Sequence, residues 1–409
     1  SYPRTRNKPA MRCGCPAIVA LAAILLLTTT VPGSAQTWQG RTSNTVRNLV
    51  AVVYSTAATA AAVGANAATI ASGDGGATWV DETVGTLAGA PDLRAVFSNG
   101  ATIVAVGNDQ AGPESIIASG DRGATWVEIT SALINENLSA GLFVNSTNVV
   151  AVSDEGGGEV LLSVDRGASW TLISPRASQE LNAIDSRSAL VIAVGDAGSS
   201  EAIFRSVNSG VAWSEATSVS RVGNNFNDVT IASATNAVAV GQNGSIVLST
   251  DSGDRWHLSA DAANNLNAVD SNAGHVVAVG DGGVISRNTN NGAKGSWSVV
   301  ASGTVRNLND VLFLTGAIVL AVGDAGTIIG STDRGATWST QTSNTAQNLE
   351  AIAYNGVNNT LVVGANGTVL LSLSQISVPT PIPFRSKWPL VLLLVAAGLV
   401  ALRRLRTAR

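Results

Sequence analysis

The chain has 409 residues, 45% hydrophobic and only 13% charged, with 42 glycines and a formal net charge of −4. That balance excludes a charged disordered chain, a coiled coil and a histone-like basic binder. The two cysteines, Cys13 and Cys15, sit beside an N-terminal apolar run, which excludes a disulfide framework and a zinc site built on cysteine spacing.

The first predicted element is an address. Met11, the only methionine, opens a short positive stretch that leads into the apolar run Ala17 to Leu27 and then Pro32-Gly33-Ser34-Ala35. A positive start, a short apolar core and small residues before a cut are what a secretory signal peptide needs. Residues 1–35 are therefore read as signal peptide, with the true start at Met11 and cleavage after Ala35. The cysteines precede the apolar run, so they do not form a lipoprotein attachment site.

Residues 36–375 read as one repeat. Eight tryptophans (Trp38, Trp79, Trp126, Trp170, Trp213, Trp256, Trp297, Trp338) are spaced by 41, 47, 44, 43, 43, 41 and 41 residues. A period near 43 with short β-rich segments predicts propeller blades, each a four-stranded sheet. One unit shows the grammar. Leu308 to Phe313 is an inner strand. Ala317 to Gly323 is an almost wholly apolar second strand, as expected for a sheet covered on both faces. Asp324-Ala325-Gly326 is a turn, Thr327 to Ser331 a third strand, Thr332 to Ala336 a second turn, and Thr337-Trp338 opens the outer strand. The eight inner strands are expected near Leu49, Leu93, Leu138, Leu181, Phe226, Leu266, Leu308 and Leu349. The last unit ends without a tryptophan, and Trp38 has no strands before it. Trp38 therefore completes the last blade and ties the chain ends together. The expected fold is an all-β, eight-bladed β-propeller; seven blades is the alternative if an end unit packs outside the ring.

The tail begins with Val378-Pro379-Thr380-Pro381-Ile382-Pro383, a stiff extended linker (376–387), followed by Trp388, the apolar run Pro389 to Leu402 and Arg403-Arg404-Leu405-Arg406. Aromatic residue, apolar stretch and cationic cluster describe a membrane anchor over 388–409 with its basic end cytoplasmic. The tail resembles the bacterial PEP-CTERM/IPTL-CTERM sorting signals, which implies a sorting enzyme acting on it. The two ends carry ten basic residues and no acid, leaving 14 basic against 28 acidic residues in the repeat body. A body this acidic repels nucleic-acid phosphates.

The element Ser-x-Asp-x-Gly-x-Thr-Trp has the look of an Asp-box. It is intact around Asp74 and Trp79, Asp121 and Trp126, and Asp333 and Trp338. It is altered in one residue around Asp165 and Trp170 and around Asp251 and Trp256. These are read as structural: Asp accepts backbone N–H bonds, Gly takes a left-handed position and Trp wedges between sheets. Each turn offers one carboxylate, so no metal site is expected. Val-Gly-Asp-x-Gly-Thr-Ile followed by the Asp-box is similar to the Ycf48/Hcf136-like family of photosystem II assembly factors over residues 36–375. The resemblance implies a non-catalytic propeller, usually seven-bladed, that holds a membrane-protein partner during assembly.

No catalytic constellation emerges. A sialidase-like site needs an arginine cluster, a tyrosine nucleophile with a carboxylate partner and an acid. The repeat body has only Tyr54 and Tyr354, both at inner-strand ends and read as packing. His257 and His275 have no ligand neighbours at metal spacing, and Asp281-Gly282-Gly283 precedes a strand rather than a helix, so it is not a phosphate loop. One cluster stands out. The residue before the inner-strand Leu or Phe is Asn in six of eight units, including Asn48, Asn307 and Asn348. One position earlier stand Arg306, Gln347 and Arg47 in consecutive blades, with Arg94 next along. Arginine on a loop face is a common interface anchor. These seven residues are the expected contact for a partner protein or an acidic glycan. The sequence thus predicts a cofactor-free, non-catalytic exported scaffold at the periplasmic face of the inner membrane or the cell surface. A sialidase-like glycoside hydrolase and a structural extracellular-matrix protein are the alternatives.

Overall fold

The computed structural model describes residues 37–82, 90–108, 115–129, 137–154, 158–173, 179–196, 202–219 and 224–372. The expected signal peptide, linker and anchor lie outside these residues. The described chain forms eight sheets, each built on four antiparallel blade strands, which settles the count at eight; in one of them Ser218–Val219 adds a short parallel strand beside Arg255–Asp261. The inner strands are Leu49–Tyr54, Asp92–Ser98, Leu138–Phe143, Leu181–Arg187, Phe226–Thr230, Leu266–Asn272, Leu308–Phe313 and Leu349–Tyr354, taken as blades 1 to 8. Blade 8 is composite: its outer strand is Gln39–Arg41, paired antiparallel with Thr368–Ser372.

Second strands such as Val319–Gly323 and Ala60–Gly64 are buried at every residue. A strand covered on both faces can be continuously apolar, which is why these segments lack the polar alternation of a half-exposed sheet. The buried side chains fall into eight clusters, one at each junction between neighbouring blades. The junction of blades 8 and 1 joins Leu361, Val363 and Leu371 to Leu49, Ile70 and Trp79. Fully burying one such aliphatic side chain is worth roughly 1.5–3 kcal/mol, so each junction is a hydrophobic core of its own.

Trp38 is 1% exposed and packs with Leu320 of blade 7 and Ile352, Val362 and Leu370 of blade 8. The other indoles take the same place between their own blade and the preceding one, as Trp126 does beside Ala61 and Val63. In most blades the outer strand starts just after its tryptophan rather than at it. The indole N–H of Trp79, Trp170, Trp213, Trp256 and Trp338 donates back to the box glycine, Trp79 to the Gly76 carbonyl at 3.0 Å, whereas those of Trp38 and Trp126 are buried without a partner.

Every inner strand carries a bulge one residue after its leading Leu or Phe, as between Leu308 and Asp310. In six blades the second strand ends in a glycine, Gly364 in blade 8, with extended backbone. A Cβ there would overlap the Asn348 carbonyl of the bulged entry. That glycine is required for space, whereas Gly367, three residues on in the turn that follows, is left-handed at φ 66°.

Trp38→Ala should lower the unfolding free energy by about 3–5 kcal/mol through the cavity it leaves, and Trp38→Phe by distinctly less. Chemical denaturation followed by far-ultraviolet circular dichroism checks both.

Candidate functional site

The two faces of the ring have different chemistry. The third-to-fourth-strand turns on one face hold the Asp-boxes. Asp121 accepts the Thr125 N–H at 2.8 Å and the Thr125 hydroxyl at 2.6 Å, and Ser119 donates to it at 2.8 Å. Asp74, Asp165 and Asp333 repeat the pattern, and Asp251 keeps the backbone and Ser249 bonds. The Thr125 hydroxyl leads the bonds that hold the Asp121 carboxyl below the usual range. For Asp74, Asp165, Asp251 and Asp333, burial opposes ionisation but the hydrogen bonds outweigh it. Both oxygens of Asp121 are thus engaged within a single turn, which makes the box a lock. The residue after each Asp is left-handed even where it is not glycine: Arg122, Arg166 and Arg334 have φ of 65°, 65° and 63°. In blade 6 the lengthened loop loses the box, and Asn288 takes over by accepting the Asn290 and Gly292 N–H groups.

The opposite face joins the loops entering the inner strands to the second-to-third-strand turns. The Asn residues singled out above are staples between blades. The Asn48 side-chain carbonyl accepts the Asn366 N–H of blade 8 at 3.0 Å, Asn307 the Gly282 N–H of blade 6 at 2.9 Å, and Asn348 the Ala325 N–H of blade 7 at 3.0 Å. A second staple occupies the bulge. The Asn309 amide donates to Asp324 of its own turn at 3.2 Å and to the Leu349 carbonyl of the next blade at 3.0 Å. Asn182 and Asn267 make the same pair of bonds, Asn227 reaches Leu266, and Ser139 reaches Leu181. At the bulge of blades 8, 1 and 2 stand Glu350, Val50 and Arg94. The regular staple therefore lapses in that sector.

An overlapping sector, blades 7, 8 and 1, carries three copies of one loop. Residues 301–307, 342–348 and 42–48 enter blades 7, 8 and 1. In each, a serine hydroxyl (Ser302, Ser343, Ser43) donates to the carbonyl two residues on. A threonine hydroxyl (Thr304, Thr345, Thr45) accepts the N–H of Arg306, Gln347 or Arg47. Gly303, Asn344 and Asn44 are left-handed between them. The scaffold lifts Val305 and Val46 almost fully into solvent, at 85% and 84% exposure, each followed by an arginine. Arg306 is exposed, whereas Arg47 and Gln347 are half-buried. Asn366 donates to the Gln347 side chain at 2.7 Å. An open cleft of about 670 Å³ lies beside the first loop, lined by Val299, Val305, Arg306, Asn264 and Gly282. Arg94 differs from its expected companions: it lies on the inner strand and is ion-paired with Asp154 of blade 3.

Tyr54 and Tyr354 donate their hydroxyls to the carbonyls of Gly75 at 3.0 Å and Val357 at 2.8 Å. Burial pushes the Tyr54 phenol far up, so it resists ionisation. His257 is exposed, and burial ahead of Arg287 and Arg334 holds His275 low. Among the described residues no group of three His, Cys, Asp or Glu could hold a metal ion.

A continuous ring with Asn staples in blades 4 to 7 and display loops entering blades 7, 8 and 1 defines an all-β binding scaffold. The family model for photosynthesis system II assembly factor YCF48 matches residues 115–372, and the chain belongs to that family. No curated protein sequence matches it. In solved structures the fold is similar to YCF48 bound to D1 peptide, at 16% identity and a TM-score of 0.59, over 83% of this chain and 97% of that one. YCF48 from Cyanidioschyzon merolae gives 15% and 0.58 over 82% and 98%, and the computationally designed Ika8 protein 14% and 0.62 over 80% and 96%.

Asn309→Ala removes one amide that serves two blades and leaves the Leu349 carbonyl and Asp324 without it. A loss of about 1–3 kcal/mol in unfolding free energy is expected by chemical denaturation.

Proposed function

We propose that this protein is a non-catalytic, exported scaffold that holds a protein partner on the loop face of blades 7, 8 and 1. One observation carries the reading: three equivalent, internally hydrogen-bonded loops project Val305-Arg306, Ala346-Gln347 and Val46-Arg47 side by side. Pre-organised loops lose little entropy on binding, and an apolar tip beside a guanidinium suits an interface anchor. On a body with 14 basic and 28 acidic residues, this sector favours an acidic segment. Family membership supports an assembly role, and the relative bound to D1 peptide supports a peptide-like partner. The tyrosine hydroxyls, both given to backbone carbonyls, favour binding over hydrolysis. Export rests on residues 1–35, and membrane attachment with sorting on residues 388–409.

The test is affinity capture of partners from host extract with the full chain and with Arg47→Glu/Arg306→Glu. The double variant should recover at least about tenfold less of the principal partner, the loss expected for interface arginines. Equal recovery would overturn the reading.

A further inference from the structure

Blade 8 lacks the turn that joins the third and outer strands of the other blades. Its third and outer strands pair Leu371 with Gln39 as blade 7 pairs Gly330 with Ser339. Ser372 therefore stands where Ser331 opens an Asp-box, and Thr37-Trp38 where Thr337-Trp338 end one. The described chain enters the ring at Thr37 and leaves it at Ser372, so both departures lie on the Asp-box face, opposite the display loops. The expected anchor starts at Trp388, and the 15 residues 373–387 that lead to it span at most about 50 Å. Such a tether brings the ring to a bilayer from its Asp-box side but does not fix its tilt.

The two faces also differ in how they present charge. On the loop face Asp92 stands at an inner-strand entry, and Asp196, Asp281 and Asp324 stand in second-to-third-strand turns. On the Asp-box face the acids are bound into the ring. Asp74, Asp121, Asp165 and Asp333 hold N–H and hydroxyl groups of their own turns, Asp251 holds the Arg255 N–H, and Asp254 is paired with Arg205 at 2.8 Å. The cations of the same turns stand in solvent: Arg122, Arg166, Arg255, Lys294 and Arg334 are all exposed. Arg122, Arg166 and Arg334 occupy a left-handed position that blade 1 gives to Gly75. That conformation costs any residue with a Cβ, and an exposed side chain gains no packing in return. Arg166 and Arg334 donate their Nε–H groups to the Ser146 and Gly316 carbonyls, at 3.2 and 3.1 Å, in the first-to-second-strand turns of their own blades. Those bonds hold both guanidinium groups on this face. Val164, Val207 and Val211 of blades 3 and 4 and Val357 of blade 8 are exposed on it too.

We propose that the Asp-box face is the side of the ring that lies on the bilayer, with its arginines against anionic lipid headgroups and its valines at the apolar boundary. The display loops then point away from the membrane, towards the partner. The inference rests on the anchor read in residues 388–409. Guanidinium groups meet lipid phosphates in a planar, two-bond geometry, and apolar tips beside them suit the interfacial layer. An acidic ring that exposes cations on one face turns that face to an anionic surface, which repels the loop face. A bilayer fits this face better than a second protein does, because the covalent route to the anchor leaves from it.

The experiment uses the full chain with Cys13→Ser and Cys15→Ser and a fluorophore on Val164→Cys or Val305→Cys. It is reconstituted with phosphatidylcholine vesicles that carry a headgroup quencher, with or without phosphatidylglycerol. Flotation with phosphatidylcholine vesicles in high salt reports the anchor; quenching reports the face. In anionic vesicles the label at position 164 should be quenched and the label at 305 should not. Arg122→Glu/Arg166→Glu/Arg334→Glu should lower the quenching at 164 by at least about half and leave flotation unchanged. If that variant does not fold, asparagine at the same three positions, which suits the left-handed backbone, takes its place. Equal quenching at the two labels, or quenching at 164 indifferent to phosphatidylglycerol and to the triple variant, would overturn the proposal. Loss of the captured partner in the triple variant with quenching unchanged would overturn it too, since the face would then serve a protein. Failure to float removes the anchor reading alone; quenching at 164 by anionic vesicles in low salt then supports the face, and its absence overturns it.

Discussion

No blade of this ring can stand alone. Each second strand is buried on both faces, one covered by the preceding blade and the other by the next, as Ala60 and Ala62 meet blade 8 and Ala61 and Val63 meet blade 2. Stability is therefore shared among eight junctions, and every junction needs both neighbours. The closing junction is the same kind of apolar contact as the others, but the chain reaches it by lending its first strand to its last sheet. Staples, locks and display loops are all built on that circle, because each joins or presents residues of adjacent blades.

Much of the circle was legible in the sequence. Tryptophan spacing and the leading Leu or Phe of each unit mark the blades because bulky apolar residues must recur wherever sheets pack. Trp38 was readable as the missing outer-strand indole for the same reason. What escaped is what depends on a partner one blade away. The Asn before the inner-strand Leu reads as local turn chemistry, yet its side chain caps the preceding blade's turn. The bulge residues Asn182, Asn227, Asn267 and Asn309 recur at one position of four consecutive units, a signal open to anyone aligning the units on their leading residue. Asp185, Asp228, Asp270 and Asp310 of the inner strands each accept an N–H from the next blade, but they alternate between two positions of the unit, so no single column exposes them. Arg94 reads as a companion of Arg47 and Arg306 because it is near in the repeat, but the bulge turns it towards Asp154 instead.

The binding reading gains from departures as much as from residues. Where a repeat protein needs only to hold itself together, neighbouring units converge on one solution, as the Asn staples of blades 4 to 7 do. In blades 8, 1 and 2 that solution is replaced by Glu350, Val50 and Arg94, and beside them the loops hold up exposed valines with no packing role. Functional sites are where a fold tolerates broken local rules. The two sets meet at blade 7, which keeps the Asn309 staple and is entered by the loop that holds up Val305.

The borrowed outer strand also sets an order of events during synthesis. Residues 39–41 are the first strand of the ring to leave the ribosome, but their pairing partner, residues 368–372, follows every other strand of it. Contacts so distant in sequence close slowly, and until they close the edge of blade 8 and the indole of Trp38 are open to other chains. The ring thus has a single moment of completion, when its last strand captures its first, and any chaperone that guards it has to wait for all eight blades rather than for one.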